Sequence, residues 1–135
     1  MTDLILAEKI ESKIFQIRGK KVMLDKDLAL LYEVKSIALR QQVKRNYGRF
    51  PSDFMFQLTD EEVKILVSQN VIPSFRSLGG YSPYVFTQEG VAMLSSVLHS
   101  KRAVLVNIQI MRAFVNLRRI ALTYVALKRD IERIE

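Results

Sequence analysis

Residues 25–46 read DKDLALLYEVKSIALRQQVKRN, a pattern typical of two short helices joined by a tight turn. We expect Asp25 to open the first helix, which runs to about Tyr32. The small Ala29 in this helix allows a second helix to cross closely, and the apolar Val34 is expected to plug the turn. The segment is therefore predicted to be a helix-turn-helix, the motif that places its second helix in the DNA major groove.

The second helix is predicted from residue 37 to about 47, with the Ser36 hydroxyl as its N-terminal cap. Leu39 and Val43 are four residues apart and face the core. The opposite face carries residue types that bind base edges, since Arg and Lys bind guanine and Gln binds adenine. The predicted base-contact residues are Arg40, Gln41 and Lys44.

Residues at the two ends of this helix are better placed to hold the DNA backbone than to contact bases. The predicted phosphate-contact residues are Lys35, Ser36, Arg45 and Arg49. One residue departs from the motif, because Glu33 occupies the turn position that usually prefers glycine. Its negative charge would also repel phosphate if it faced DNA.

The charge distribution favours a polyanionic partner. The 135-residue chain has a formal net charge of +7. Nine basic and three acidic residues give +6 over residues 18–50, and five basic residues give +5 over residues 101–120. An acidic stretch at residues 51–72 carries −3. The first basic block coincides with the predicted helix-turn-helix, so we expect double-stranded DNA as the partner.

The remaining segments predict an α+β fold: a helix-turn-helix with short antiparallel β-strands and a long C-terminal helix. The segments around Gly19 predict a β-hairpin, and residues 54–58 and 84–86 predict two strands that pair. Thr59 followed by Glu62 is a capping-box signature, so a helix is expected at about 60–70. Two further helices are predicted, one from a Thr87 cap through residue 98 and one from 101 to about 134.

Four strings in the chain resemble the phage ORF-six N-terminal DNA-binding domain family, which is related to the KilA-N and Bro-N domains. They are VKRN (43–46), RFPSDFMFQLTDEE (49–62), YVFTQEGVAMLSSVL (84–98) and VNIQIMRAF (106–114). Members of this family commonly have Tyr-Gly-Val where this chain has Tyr32-Glu33-Val34. The resemblance implies a DNA-binding domain of prophage type over residues 10–120, with antirepressor-like or regulatory roles. Residues 121–135 would then form a helical extension.

The sequence lacks the residues that several classes of function require. The chain has no cysteine and a single histidine, His99, so we expect no metal site, no cofactor and no catalytic residues. No apolar run is long enough to span a bilayer, and the N-terminus does not resemble a signal peptide. We therefore expect a non-enzymatic protein in the cytoplasm of a bacterial or phage-infected cell, without a membrane partner.

The predicted C-terminal helix carries two apolar stripes, whereas one stripe is sufficient to pack against the domain. The first comprises Ile110, Phe114, Leu117, Ala121, Tyr124 and Ile131, and the second Val104, Ile108, Met111, Val115, Leu122 and Val125. The surplus suggests a homodimer through this helix. Two alternatives to DNA binding stay open: a protein-interaction module that binds a repressor without reading DNA, and an RNA-binding protein.

Overall fold

The fold is α+β, as the sequence predicts, with four antiparallel strands and a long C-terminal helix. The computed structural model describes residues 7–134. The helices are α1 (Ala7–Glu11), α2 (Asp25–Tyr32), α3 (Ser36–Arg45), α4 (Asp60–Ser68), α5 (Gln88–Leu98) and α6 (Lys101–Ile134). The strands are β1 (Phe15–Ile17), β2 (Lys20–Leu24), β3 (Met55–Gln57) and β4 (Tyr84–Phe86), and 3₁₀ turns span Tyr47–Arg49 and Arg76–Leu78.

The four strands form one sheet in the order β1-β2-β4-β3 and divide the apolar interior in two. Met23, Phe86 and Met55 lie opposite one another on three neighbouring strands, so their side chains share one face of the sheet. That face contacts the main cluster, which includes buried residues of α2, α3, α5 and α6. Val22 and Val85 belong to a smaller cluster with buried residues of α4. Because successive side chains of a strand point to opposite faces, both faces of the sheet are buried.

The predicted β-hairpin is confirmed, and its turn consists of only two residues. Arg18 and Gly19 have φ values of 54° and 74°. Positive φ at both central residues is the signature of a type I′ turn, whose twist matches that of the flanking strands. Glycine adopts this conformation freely, whereas Arg18 must be held there by contacts elsewhere.

Those contacts attach the Arg18 side chain to the opposite edge of the sheet. Its Nε and Nη2 donate to the two carboxylate oxygens of Glu62 at 2.7 and 2.8 Å. The guanidinium also lies 4.3 Å from the centre of the Phe56 ring. The hydrogen bond from Arg18 lowers the pKa of Glu62 to about 2. One side chain therefore joins the hairpin to α4 and β3.

The structure confirms both predicted helix N-termini, that of the helix after β3 and that of the helix after β4. Thr59 accepts the Glu62 N–H at 3.2 Å while the Glu62 carboxylate accepts the Thr59 N–H at 2.9 Å, completing the capping box of α4. Thr87 caps α5 by accepting the Gly90 N–H at 3.3 Å. Each cap satisfies backbone donors that the first turn of a helix leaves without partners.

A buried polar link joins α2 to α5 and α6. The Tyr32 hydroxyl donates to Asn107 Oδ1, and Asn107 Nδ2 donates to the Val91 carbonyl at 2.7 Å. Burial raises the pKa of Tyr32, so the hydroxyl stays protonated and remains a donor. Among residues 7–134, no helix has both the length and the hydropathy that crossing a bilayer requires.

Candidate nucleic-acid interface

Helix α3 is held against the domain by the two residues that the sequence assigns to its inner face. Leu39 is 0% exposed and Val43 is 6% exposed, and both belong to the main apolar cluster with residues of α2. Because these positions are four apart, a single side of the helix is buried and the opposite side remains in solvent. The packing therefore presents one defined face of α3 outward.

The turn between α2 and α3 forms a Schellman motif with Glu33 in the left-handed position. Glu33 has φ 60° and ψ 43°, its N–H donates to the Leu30 carbonyl at 3.2 Å, and the Val34 N–H donates to the Ala29 carbonyl at 3.0 Å. The preference for glycine at this position is thus explained by its positive φ. Val34 is 37% exposed, so the prediction that it plugs the turn is wrong. The chain reverses through backbone hydrogen bonds, which need no apolar plug.

The Glu33 carboxylate is paired within the domain. Arg102 at the start of α6 places Nη2 3.2 Å from Glu33 Oε2, and its Nε donates to the Leu31 carbonyl at 3.0 Å. Arg102 thus partly offsets the negative charge that would repel phosphate, and it satisfies a carbonyl near the end of α2. Helix α6 therefore holds the turn that positions α3.

The start of α3 differs from the prediction. Ser36 is the first helical residue, and the N-cap is Lys35, whose extended backbone has φ −72° and ψ 143°. No side chain caps α3, so the prediction of a Ser36 cap is wrong, because a cap residue must precede the helical conformation. The first turn of α3 also lacks acidic residues. Uncapped N–H groups beside a lysine are suited to a phosphate.

Two of the three predicted base-contact residues, Gln41 and Lys44, lie on the exposed side of α3. The exposed side also includes Ile37, which is 52% exposed and precedes Gln41 by four residues. An apolar side chain at this place contacts the methyl group of thymine in the major groove. We define the α3 outer face as Ile37, Ala38, Gln41, Lys44 and Arg45, all of which are exposed.

Arg40, the third predicted base-contact residue, is directed away from the outer face. Its side chain is 23% exposed, with the guanidinium 4.5 Å from the centre of the Tyr81 ring and Nη1 3.9 Å from Asp25 Oδ2. Asp25 is buried and accepts the N–H groups of Lys26 and Tyr84 at 2.7 and 3.3 Å. Burial raises the pKa of Asp25, and Arg40 opposes that rise. Arg40 would have to leave both contacts to reach a base.

Four cations around α3 have no ion pair or side-chain hydrogen bond to any residue in the described range 7–134. They are Lys35, Lys44, Arg45 and Arg49, and all four are exposed. Of the other basic residues of the 18–50 block, Arg18 is engaged with Glu62 and Lys26 with the Ser77 carbonyl at 2.7 Å, whereas Lys20 and Lys21 on β2 have no such partner among residues 7–134. Most of the charge of this block that remains available to an external anion therefore lies on α3 and next to its two ends.

A groove of about 500 Å³ runs beside α3, between this helix, β3 and the segment before β4. Met55 and Phe86 line it with apolar surface, and its polar side chains include Arg40, Lys44 and Tyr47. Tyr47 is 64% exposed and was not predicted from the sequence. The spacing of Ile37, Gln41 and Lys44 at i, i+4 and i+7 could have identified Ile37, whereas no local signal identifies Tyr47.

The sequence model of the ORF6N domain matches residues 12–97, more than half of the chain. The matched segment includes the hairpin, α2, α3 and their connecting turn. No curated protein and no solved structure matches the chain. Within residues 7–134, no three His, Asp or Glu side chains are grouped as a metal ion would require.

Proposed function

This chain belongs to the ORF6N domain family, and we propose that it is a sequence-specific double-stranded DNA-binding protein of prophage type. Its role would be that of a transcriptional regulator or antirepressor in the cytoplasm of a bacterial or phage-infected cell, without catalysis. The observation that carries the proposal is the combination, on one helix, of an exposed face that carries Gln41 and Lys44 with cations at both ends that have no partner among residues 7–134. The sequence prediction of a phage-related protein agrees with the family.

In this proposal α3 enters the major groove, with its register set by the backbone contacts at its two ends. Gln41 and Lys44 contact base edges, and Ile37 adds an apolar contact to a thymine methyl group. Lys35 and Arg49 hold phosphates on either side, and the uncapped start of α3 contributes backbone N–H groups to one of them. Arg45 also places a positive charge beside the phosphate backbone of the DNA.

The first experiment selects bound sequences from a random duplex pool and measures affinity against salt concentration by fluorescence anisotropy. The three cations assigned to phosphates, Lys35, Arg45 and Arg49, predict a log–log slope of about −2.7 per protein chain. A competition with single-stranded RNA is included, because preferential RNA binding would support the RNA alternative. A slope near zero would contradict the proposed phosphate contacts.

Substitutions separate the two kinds of contact. Gln41→Ala should weaken the selected duplex about 5- to 150-fold and relax selection at one base position, since one good bidentate contact contributes about 1–3 kcal/mol. Lys35→Ala should weaken all duplexes alike and change the slope by about 0.9. Lys64→Ala is the matched control, because Lys64 is an exposed lysine on α4. Equal effects of Lys64→Ala and Lys35→Ala would contradict the assignment to α3.

One observation favours the second candidate, a module that binds a repressor protein. Leu30 and Ile37 flank the α2–α3 turn and are 68% and 52% exposed, and Val34 lies between them. An apolar group at this place is also suited to a protein surface. Co-purification with a repressor that Leu30→Ser abolishes, together with no mobility shift on any duplex pool, would favour this candidate over DNA binding.

A further inference from the structure

We propose that the C-terminal half of α6 forms a two-stranded coiled coil with the same segment of a second copy of this chain. Helix α6 has 34 residues, and at 1.5 Å per residue it is about 51 Å long. Its buried residues end at Phe114, and beyond Leu117 nearly every side chain is exposed. The second half therefore extends past the domain as a bare helix.

The exposed half continues the face that the first half buries. Ala103, Val106, Ile110 and Ala113 contact the main cluster and are at most 3% exposed. From Ala113 the same alternation of three- and four-residue steps leads through Leu117 to four further apolar residues. We define these as the α6 seam: Ile120, Tyr124, Leu127 and Ile131, which are 53%, 65%, 57% and 60% exposed.

The seam shares Tyr124 and Ile131 with the first stripe predicted from the sequence, but it has Ile120 where that stripe had Ala121, and it adds Leu127. The second predicted stripe consisted of positions such as Leu122, which lies on another side of the helix. A steady average spacing of 3.5 residues is the pattern by which one helix packs along another. The face is uniform over the whole helix, and the domain covers only its first half.

The chemistry of the seam favours a helix over a polyanion or a lipid surface. All four seam residues are uncharged, and the neighbouring cations lie at other positions, as Arg118, Arg119 and Arg129 do. A nucleic acid would require cations on the contacting face. A lipid surface selects an apolar face bordered by basic residues, whereas the seam follows the heptad steps and is flanked by Ala121, Thr123, Lys128 and Asp130.

The residues that flank the seam are compatible with a second copy of the chain as the partner. Ala121, Thr123, Lys128 and Asp130 occupy these positions, which decide the choice of coiled-coil partner. They include one positive and one negative residue, so a homodimer gathers no surplus of like charge beside the seam. In a parallel pair Thr123 lies opposite Lys128 of the second copy, and neither residue repels the other.

The length of the free segment also favours pairing. Residues 120–134 span about four helical turns that continue the docked half of α6, and burial of an apolar face against a partner is the stabilisation that they lack. A coil of this length buries a small interface, so we expect a dissociation constant of about micromolar order. The inference concerns α6 alone and is independent of the proposal for α3.

The test measures molar mass by sedimentation equilibrium over a range of concentrations. The intact chain should convert from monomer to dimer, and Leu127→Glu should raise the dissociation constant at least 100-fold by placing a desolvated charge in the seam. Leu122→Glu is the matched control, since Leu122 is an exposed leucine outside the seam, 66% exposed against 57% for Leu127. Its dissociation constant should stay within about threefold of the original value.

Three results would overturn the proposal. They are a monomer at every concentration up to about 1 mM, a trimer or larger assembly, and equal weakening by Leu127→Glu and Leu122→Glu. Thermal unfolding of each variant at low concentration checks the domain itself, and it should be unchanged because both leucines are exposed. DNA binding is measured separately, so a monomer that retains it refutes the coiled coil and leaves the proposed function intact.

Discussion

Replacing Gly90 by alanine should destabilise the domain strongly, although the residue lies in a helix. A Cβ at this position would lie 2.0 Å from the Phe54 carbonyl oxygen and 2.9 Å from its carbon. Real contacts of this kind exceed 3 Å, so α5 or the start of β3 would have to move by about 1 Å. Gly90 therefore marks the closest approach of α5 to the chain before β3.

The Phe54 carbonyl oxygen, which the added methyl group would displace, already accepts a hydrogen bond. Phe54 O accepts the Thr87 N–H at 3.0 Å, and the Thr87 hydroxyl donates mainly to the neighbouring Asp53 carbonyl at 2.9 Å, so both hold the start of α5 against β3. Losing the hydrogen bond to Phe54 O costs about 1 kcal/mol, and the strain of overpacking adds about 1–3 kcal/mol. Alanine returns about 1 kcal/mol through its higher helix propensity. The expected net loss is about 1–3 kcal/mol in the free energy of unfolding.

Urea denaturation followed by circular dichroism measures this loss. Gly48→Ala is the matched control, because a methyl group added to Gly48 would have no atom within 4 Å and the residue has no positive φ. It should change the free energy of unfolding by less than about 1 kcal/mol, if anything towards greater stability. A Gly90→Ala protein as stable as Gly48→Ala would refute the reasoning, since it would mean that α5 can shift without cost.

Two further predictions concern side chains at strained turns. The pKa of Glu62 is lowered to about 2 from an ordinary value of 4.5, so its contribution is complete above pH 4.5 and is lost as the pH falls toward 2. Because Arg18 is partly exposed, the effect should be small: between about pH 6 and pH 3 the original protein should lose only about 1 kcal/mol more free energy of unfolding than Glu62→Gln does. Urea denaturation at each pH measures this difference, and parallel curves of stability against pH for the two proteins would contradict the expectation. At the left-handed position of the α2–α3 turn, Glu33→Gly should exceed Glu33→Ala in stability by about 1 kcal/mol, since both remove the ion pair to Arg102 but only glycine relieves the positive φ. An alanine variant equal to or more stable than the glycine variant would show that the turn carries no strain.

Local patterns predicted the elements of this fold, because their signals lie within a few residues of one another. The Thr59–Glu62 capping box, the Thr87 cap and the hairpin around Gly19 are of this kind, and all three are confirmed. The inner face of α3, with Leu39 buried, is confirmed for the same reason. Helical periodicity needs no knowledge of what the helix packs against.

The features that sequence reasoning missed depend on contacts between distant segments. Arg40 is turned inward by Asp25 and by Tyr81, which lie 15 and 41 residues away along the chain. Arg18 finds its carboxylate partner 44 residues away. The pairing of Glu33 with Arg102 likewise partly offsets a charge conflict that the sequence alone leaves standing. The roles of the α3 outer face in binding DNA stay predictions.

Because α6 is a single unbroken helix, it fixes the rotational phase between its two ends. Arg102 near its first turn holds the α2–α3 turn, and the seam begins at Ile120. Each inserted residue would turn the seam by about 100° relative to the domain, whereas seven inserted residues would return it to within about 20°. The number of residues between Arg102 and Ile120 therefore determines the direction in which the far end of the helix presents its side chains relative to the domain. Related chains could change the length of this helix in heptad steps and keep that direction, while any other change in length would alter it.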